Sequence, residues 1–172
     1  MVRLVLMLKW VWFSIVTVML DQLSKWVAVA NLEQGIPQAV MPHLNWTLAY
    51  NYGAAFSFLG DQGGWQRWFF VVISFAVSAY ILYCLRKLDR SEHWVAVSLA
   101  LVLGGALGNG IDRLISGRVT DFIDLYVNLD LFFLHNGHFA TFNFADIAIT
   151  TGAVLLVILS FFPDKEEASQ TS

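Results

Sequence analysis

The sequence predicts an all-α membrane protein: four transmembrane helices, a short strand or hairpin in the first outer segment, and an outer loop or helix between spans three and four. Three observations carry this expectation. Hydrophobic residues make up 58% of the 172 and charged residues 13%, against roughly 25% charged in a soluble domain. Uncharged stretches recur at nearly the length of a bilayer crossing. The charged and amide side chains that interrupt them gather at one end. A soluble fold of this size needs more polar surface to face water, and a bilayer supplies the missing apolar solvent.

Each span follows from the distance between charges. Trp68 to Leu85 is 18 residues, Trp94 to Ile111 another 18, and Ile147 to Pro163 is 17. A helix needs roughly 20 residues to cross about 30 Å of hydrocarbon. The first span is less regular, because Trp10 to Leu20 gives 11 uncharged residues before Asp21 and Lys25. A helix from about Leu4 to Ala30 crosses with Asp21 towards its far end. The competing reading is a cleaved signal peptide, with Arg3 and Lys9 as a basic start and Ala28-Val29-Ala30 as the cleavage site. Asp21 and Lys25 break the stretch too early for that. Cys84, the single cysteine, reads as an apolar helix residue, and it excludes an internal disulfide or a cysteine zinc cluster.

Charge placement sets the sidedness. With four spans, Arg3, Lys9, Arg86, Lys87, Arg90 and Lys165 share one side; Lys25, Arg67, Arg113 and Arg118 share the other. The tight cluster from Arg86 to Arg90 lies in a short loop, where the positive-inside rule is most dependable. Both termini are therefore expected in the cytoplasm. A single domain over 1–163 and a disordered acidic tail over 164–172 complete the outline. Segments 31–66 and 114–143 lie outside, and Leu44 to Tyr50 partly alternates as a strand does. The net charge of -3 without a basic patch gives no sign of a nucleic-acid partner.

On this topology the costly residues converge. Asp21 and Lys25 lie at the outer end of span one, Asn109, Asp112 and Arg113 at that of span three, and Asn143 and Asp146 at the start of span four. Asp121 and Asp124 occupy the outer connection. An aspartate at a helix centre costs about 2.5–3.5 kcal/mol on insertion scales, so such groups face protein or a wet cavity. Spacing agrees: Asp21 and Lys25 are an i, i+4 pair, and Asn109 lies four residues from Arg113. Gly104 and Gly108 form a GxxxG pattern that permits close helix approach. The plainer reading is solvation and capping, with Asn143 as a cap and Asp112–Arg113 in a wet loop.

Two carboxylates sharing a site hold one proton between them, so one can deprotonate water while the other donates to a carbonyl. That chemistry needs no metal and no cofactor, and neither is expected. His135 and His138 flank the turn signal Asn136-Gly137 and read as loop residues. No G-x-S-x-G motif appears. The residues alone leave Asp121 and Asp124 both open as partners for a second acid.

Five blocks resemble the signatures of bacterial lipoprotein signal peptidase, or signal peptidase II. They are Asp21-Gln22-Leu23-Ser24-Lys25, Asn51-Tyr52-Gly53-Ala54-Ala55-Phe56, Gly104 to Arg113, Val119-Thr120-Asp121-Phe122-Ile123-Asp124 and Phe142-Asn143-Phe144-Ala145-Asp146. The resemblance spans nearly the whole chain and keeps the order of the blocks. It selects Asp121 and Asp146 as catalytic, with Asp21, Lys25, Asn51, Gly105, Asn109, Arg113, Asn143 and Ala145 binding substrate or supporting the pair. It also implies a small periplasmic β-cradle from the first outer segment and inhibition by globomycin. The implied substrate is a diacylglyceryl-modified prolipoprotein, cut before the lipidated cysteine by a monomeric enzyme of the bacterial inner membrane, in contact with lipid and with its site near the periplasmic face. The stretch from Asn128 to Gly137 departs from the family by its length. A proton-coupled transporter is the alternative, since intramembrane carboxylates also mark proton paths; four spans without a repeat, polar on one side only, argue against it.

Overall fold

A computed structural model describes residues 2–53, 63–89, 91–126 and 140–162, with side chains from Lys9 onward. The expected tail over 164–172, the long 128–137 segment, His135, His138, Arg90 and the Ala54-Ala55-Phe56 part of one motif lie outside these residues. Four helices and three strands follow in the order α1 Val2–Asn31, β1 Gln38–Met41, β2 Leu44–Asn51, α2 Trp65–Lys87, α3 His93–Ser116, β3 Val119–Leu125 and α4 Phe144–Ser160. Three helical segments are long and apolar enough to cross a membrane: Lys9–Asn31, Trp65–Lys87 and His93–Ser116. The fourth helix is apolar but shorter, at 17 residues.

The helices turn apolar side chains outward. Trp12, Met19, Leu20, Trp26, Val72, Tyr80, Trp94 and Val157 are all exposed, as lipid-facing residues are. Helix α3 is the hub, packing against α1, α2 and α4. Its buried residues are mostly small: Ala96, Ser98, Ala100, Gly104, Gly105, Gly108 and Gly110. Gly104, the start of the GxxxG pattern, has no room for a Cβ, which would stand 2.6 Å from that of Thr17 on α1. A Cβ on Gly105 would run into the backbone oxygen of Ala145 and stand 2.7 Å from Cγ1 of Ile149. The missing side chains let α1 and α4 come close to α3. Ile81 and Leu85 of α2 meet Ala96 and Leu103 of α3 in one cluster, with Trp10 against it.

The other end carries an antiparallel sheet in the order β1-β2-β3. Ala28 of α1 packs with Phe122 and Ile123 of β3, joined by Leu32, Leu44, Trp46 and Phe142. This sheet corrects the expected outer loop or helix between spans three and four: residues Val119–Leu125 form a strand instead. Its pairing to β2, from Leu44↔Leu125 to Asn51↔Val119, ties the two outer segments together. The sheet is thus built from both of the segments expected outside, not from the first alone. The strand Leu44–Asn51 matches the expected one, extended by a residue. Helix α1 covers the predicted first span, and Asp112 and Arg113 lie within α3 and not in a wet loop.

Chain continuity then brings α4 in. The Phe122 and Ile123 N–H groups donate to the Phe142 carbonyl at 3.1 and 2.9 Å, and Phe142 N–H donates back to Ile123 at 3.0 Å. The residue before the α4 cap is therefore paired to the free edge of β3. We predict that Gly105→Ala destabilises the protein by roughly 1–3 kcal/mol, as overpacking does. Thermal unfolding in detergent checks this, and an unchanged midpoint contradicts the close approach of α3 and α4.

Candidate active site

The site forms where α1, α3, β3 and α4 meet, and its first requirement is to neutralise a buried amine. Lys25 is 4% exposed. Its Nζ stands 2.9 Å from Oδ2 of Asp21 and 3.1 Å from Oδ2 of Asp112, and donates to Oδ1 of Asn109 at 2.9 Å. Asp21 is fully buried and one helical turn away on α1. Its second oxygen accepts from the Ala145 N–H at 2.9 Å, one of the donors in the first turn of α4 that lack an intrahelical partner. Ala145 is itself fully buried. Gly108 leaves room for this carboxylate, since a Cβ there would stand 2.6 Å from Oδ2 of Asp21.

Asn109 relays the position of Lys25 to the first acid. With its oxygen taken by the amine, the amide nitrogen turns the other way and donates to Oδ1 of Asp146 at 2.8 Å. Asn143 does the rest. Its Oδ1 accepts from the Asp146 N–H at 3.0 Å, while its own N–H donates to Oδ2 of Asp146 at 3.2 Å. This reciprocal pair is a capping box. The amide nitrogen of the same residue donates to Oδ1 of Asp121 at 2.6 Å and to Oδ1 of Asn109 at 3.2 Å. One asparagine therefore caps α4 and touches both acids, so capping and site assembly coincide.

Asp121 is buried on β3, whereas Asp146 is half-buried. Burial, and after it the negative charge of Asp146, push the Asp121 carboxyl up to about 7, against the opposing pull of Asn143, Lys25 and Asn51. A carboxyl in that state keeps its proton towards neutral pH beside an acid near enough to act on it. Asn51, at the end of β2, hydrogen-bonds Asp121 and accepts from the Gly53 N–H at 2.9 Å. Asp124 is also buried, but takes Asn45 Nδ2 at 3.2 Å and Thr47 Oγ1 at 2.9 Å. Three residues apart on a strand, the two aspartates point to opposite faces.

Arg113 lies beside this centre. It donates to the Gly53 carbonyl at 2.6 Å and stacks its guanidinium 5.0 Å from the Phe70 ring. Among the described residues, its Nε is the buried side-chain nitrogen without a hydrogen-bond partner. Gly105 contributes space for α4 and no polar group. Two residues outside the expected set belong to the network. Asp112 binds Lys25, and Gln22 Nε2 donates to Asp112 at 2.8 Å, to Asp21 at 3.1 Å and to the Gly108 carbonyl at 3.2 Å. The sequence signal for Asp112 is its spacing, three residues after Asn109, together with its place in the Gly104-to-Arg113 block; that for Gln22 is its place in the Asp21-to-Lys25 block.

A helical membrane protein with two neighbouring acids, one of them pushed up towards neutrality by burial, is the class that fold and site define. Residues 13–162 match the family model described as signal peptidase (SPase) II. A lipoprotein signal peptidase of Hydrogenovibrio crunogenus is 48% identical over 151 residues, 88% of this chain and 84% of the relative. One from Coxiella burnetii (strain RSA 331 / Henzerling II) is 50% identical over 149 residues, 87% of each chain. A bacterial membrane enzyme solved by the in meso method at 2.3 Å resolution superposes with a TM-score of 0.77 at 30% identity, covering 92% of this chain and 90% of that one. The chain belongs to the signal peptidase II family, and it is a multi-pass membrane protein.

Replacing Asn143 tests its two roles. Asn143→Ala is expected to cost about 1 kcal/mol of stability for the lost cap and to abolish most peptidase activity. Asn143→Asp retains a capping oxygen but loses the amide donor and sets a third carboxylate against Asp121 in a fully buried position. It therefore loses the activity although the cap is kept, and the buried charge costs stability as well. Parallel unfolding and cleavage assays check this, and full activity in Asn143→Asp contradicts the bridging role.

Proposed function

We propose that Asp121 and Asp146 are the catalytic pair with which this chain removes signal peptides from prolipoproteins. Removal of those peptides is the activity of its family, and the enzyme is an aspartic endopeptidase. The observation that carries the assignment is Asn143, whose amide and backbone N–H reach Asp121 and Asp146 together. In this reading the protonated Asp121 donates to the oxygen of the scissile carbonyl. Asp146, half-open to water, takes a proton from the water that attacks the carbonyl carbon. The tetrahedral intermediate then breaks its C–N bond: the proton held by Asp146 passes to the leaving nitrogen, and Asp121 takes a proton back from a hydroxyl of the intermediate as the new carboxyl group forms. The bond cut is the one before the diacylglyceryl-modified cysteine, whose acyl chains stay in lipid while the peptide reaches the pair.

The remaining residues take supporting parts. Lys25, Asp21 and Asn109 orient Asp146, and Asn51 holds Asp121. Arg113, with an unpartnered Nε, offers a donor to a substrate carbonyl. Gly105 and Ala145 allow the close packing that brings α4 into place. The protein works as a monomer in contact with lipid in the bacterial inner membrane, with four spans, cytoplasmic termini and the site near the periplasmic face. Support for this orientation is Arg86 and Lys87 ending α2 at the end away from the acids. The apolar 17-residue α4 falls at the short end of the crossing range of about 17–25 residues.

Cleavage of a lipidated prolipoprotein by purified variants tests the pair. Asp121→Asn and Asp146→Asn are each expected to lose at least the ~10²–10⁴-fold typical of acid–base catalysis, while Asp124→Asn keeps most of its activity. Full activity in either of the first two removes that residue from the pair. The sign of the pH dependence follows from Asp121, whose raised carboxyl is protonated below about 7 and ionised above it. As pH rises through that value the acid is lost, so kcat/KM falls on the alkaline side. A kcat/KM that rises through the same range contradicts Asp121 as the proton donor.

A further inference from the structure

The carboxylate of Asp112 is 9% exposed, and three donors from two elements, α1 and β3, converge on it. Gln22 Nε2 of α1 donates to Oδ1 at 2.8 Å. Lys25 Nζ, also of α1, lies 3.1 Å from Oδ2. The backbone N–H of Thr120 on β3 donates to the same Oδ2 at 3.0 Å. Thr120 immediately precedes Asp121, so this bond anchors the strand one residue before the proton donor. We propose that Asp112 is a positioning residue for the hydrolysis, fixing the place of Asp121 through the Thr120 backbone and moderating the charge of Lys25 beside the pair. This rests on the assignment of Asp121 and Asp146 as catalytic.

The two effects have separate physical origins. A strand held by a buried charge-assisted hydrogen bond is fixed more firmly than one held by neutral bonds, and small misplacement of a reacting group costs about 10²-fold in rate. The charge of Lys25 is opposed by the carboxylates of Asp21 and Asp112, and Asp121 feels the pull of Lys25 reduced by theirs. The charged groups that act on Asp121 are Lys25 of α1, Arg113 of α3 and Asp146 of α4. Asp21 and Asp112 are paired to Lys25, and Asp124 lies farther along β3, bonded to Asn45 and Thr47. Arg67 of α2 is turned to the Arg113 and Leu114 carbonyls, and Arg118 to the Tyr50 ring and the Tyr52 hydroxyl. With Asp112 neutral, the field of Lys25 at Asp121 grows and favours its ionised form.

Two substitutions separate the effects. Asp112→Asn keeps the size but offers one acceptor oxygen to three donors and removes the charge. It is expected to lower kcat at least ~10-fold with little change in KM, and to move the alkaline limb of kcat/KM to lower pH by roughly half a unit or more. Asp112→Glu keeps the charge but carries the carboxylate away from the Thr120 N–H. It is expected to lower kcat while the limb keeps its wild-type position. An Asn variant whose limb does not move overturns the proposal, whatever its kcat, and so does a Glu variant with wild-type kcat. If the Asn variant fails to fold, the Glu variant decides. Asp121→Asn and Asp146→Asn run beside them; activity in either removes the catalytic pair itself, a failure separate from that of Asp112.

Discussion

Lys25 is an ammonium group placed where almost no water reaches it, and such a charge has to be compensated at the spot. Asp21, Asp112 and Asn109 do so, from its own helix and from α3. Removing one partner of a buried ion pair costs about 3–5 kcal/mol, because the other is left uncompensated. The rest of the site follows from this constraint. The amine takes the oxygen of Asn109, which turns its nitrogen to Asp146. It holds Asp21, whose other oxygen receives the first turn of α4. It holds Asp112, whose oxygen receives the start of β3. One positive charge therefore registers four elements against one another.

The acids are set differently because their surroundings differ. Asp121 lies on β3, which pairs with β2 along one edge and with the Phe142 segment along the other. Asp146 lies in the first turn of a helix, where backbone N–H groups receive it and water reaches it. A buried carboxyl beside a more accessible one is an arrangement that separates a proton donor from a proton acceptor at neutral pH. Asn143 joins the two, and as an N-cap it also stabilises the helix that carries Asp146, so the local fold and the chemistry depend on the same side chain.

Much of this was legible before any coordinates. The helices stand out because charges punctuate apolar runs, and the gathering of Asp21, Lys25, Asn109, Asn143 and Asp146 follows once sidedness is assigned. The strand Val119–Leu125 was hidden for a physical reason. Val119, Thr120, Phe122 and Ile123 favour a strand, but its two aspartates in seven residues oppose one and break the apolar pattern, and it is held by partners distant in the chain. Without that strand the choice between Asp121 and Asp124 rested on family resemblance; with it, the alternation of faces gives a structural reason. Asp112 was visible as part of a polar helix end, but an Asp-Arg pair there reads equally well as solvated. Its link to Thr120 depends on where β3 begins. Gly104 and Gly108 read in the sequence as packing residues and Gly105 as part of the site; in the fold Gly105 and Gly108 both clear space, for Ala145 and for Asp21.

The central claim is that Asp121 and Asp146 share a proton near neutral pH. The most direct measurement is a carboxyl-carbon NMR titration of the ¹³C-aspartate protein in detergent, with Asp121 assigned by substitution. The account predicts that the Asp121 carbon titrates at about 7 and moves to lower pH in Asp146→Asn, where the neighbouring negative charge is gone. A midpoint in the ordinary carboxylate range, the same in both proteins, would contradict it.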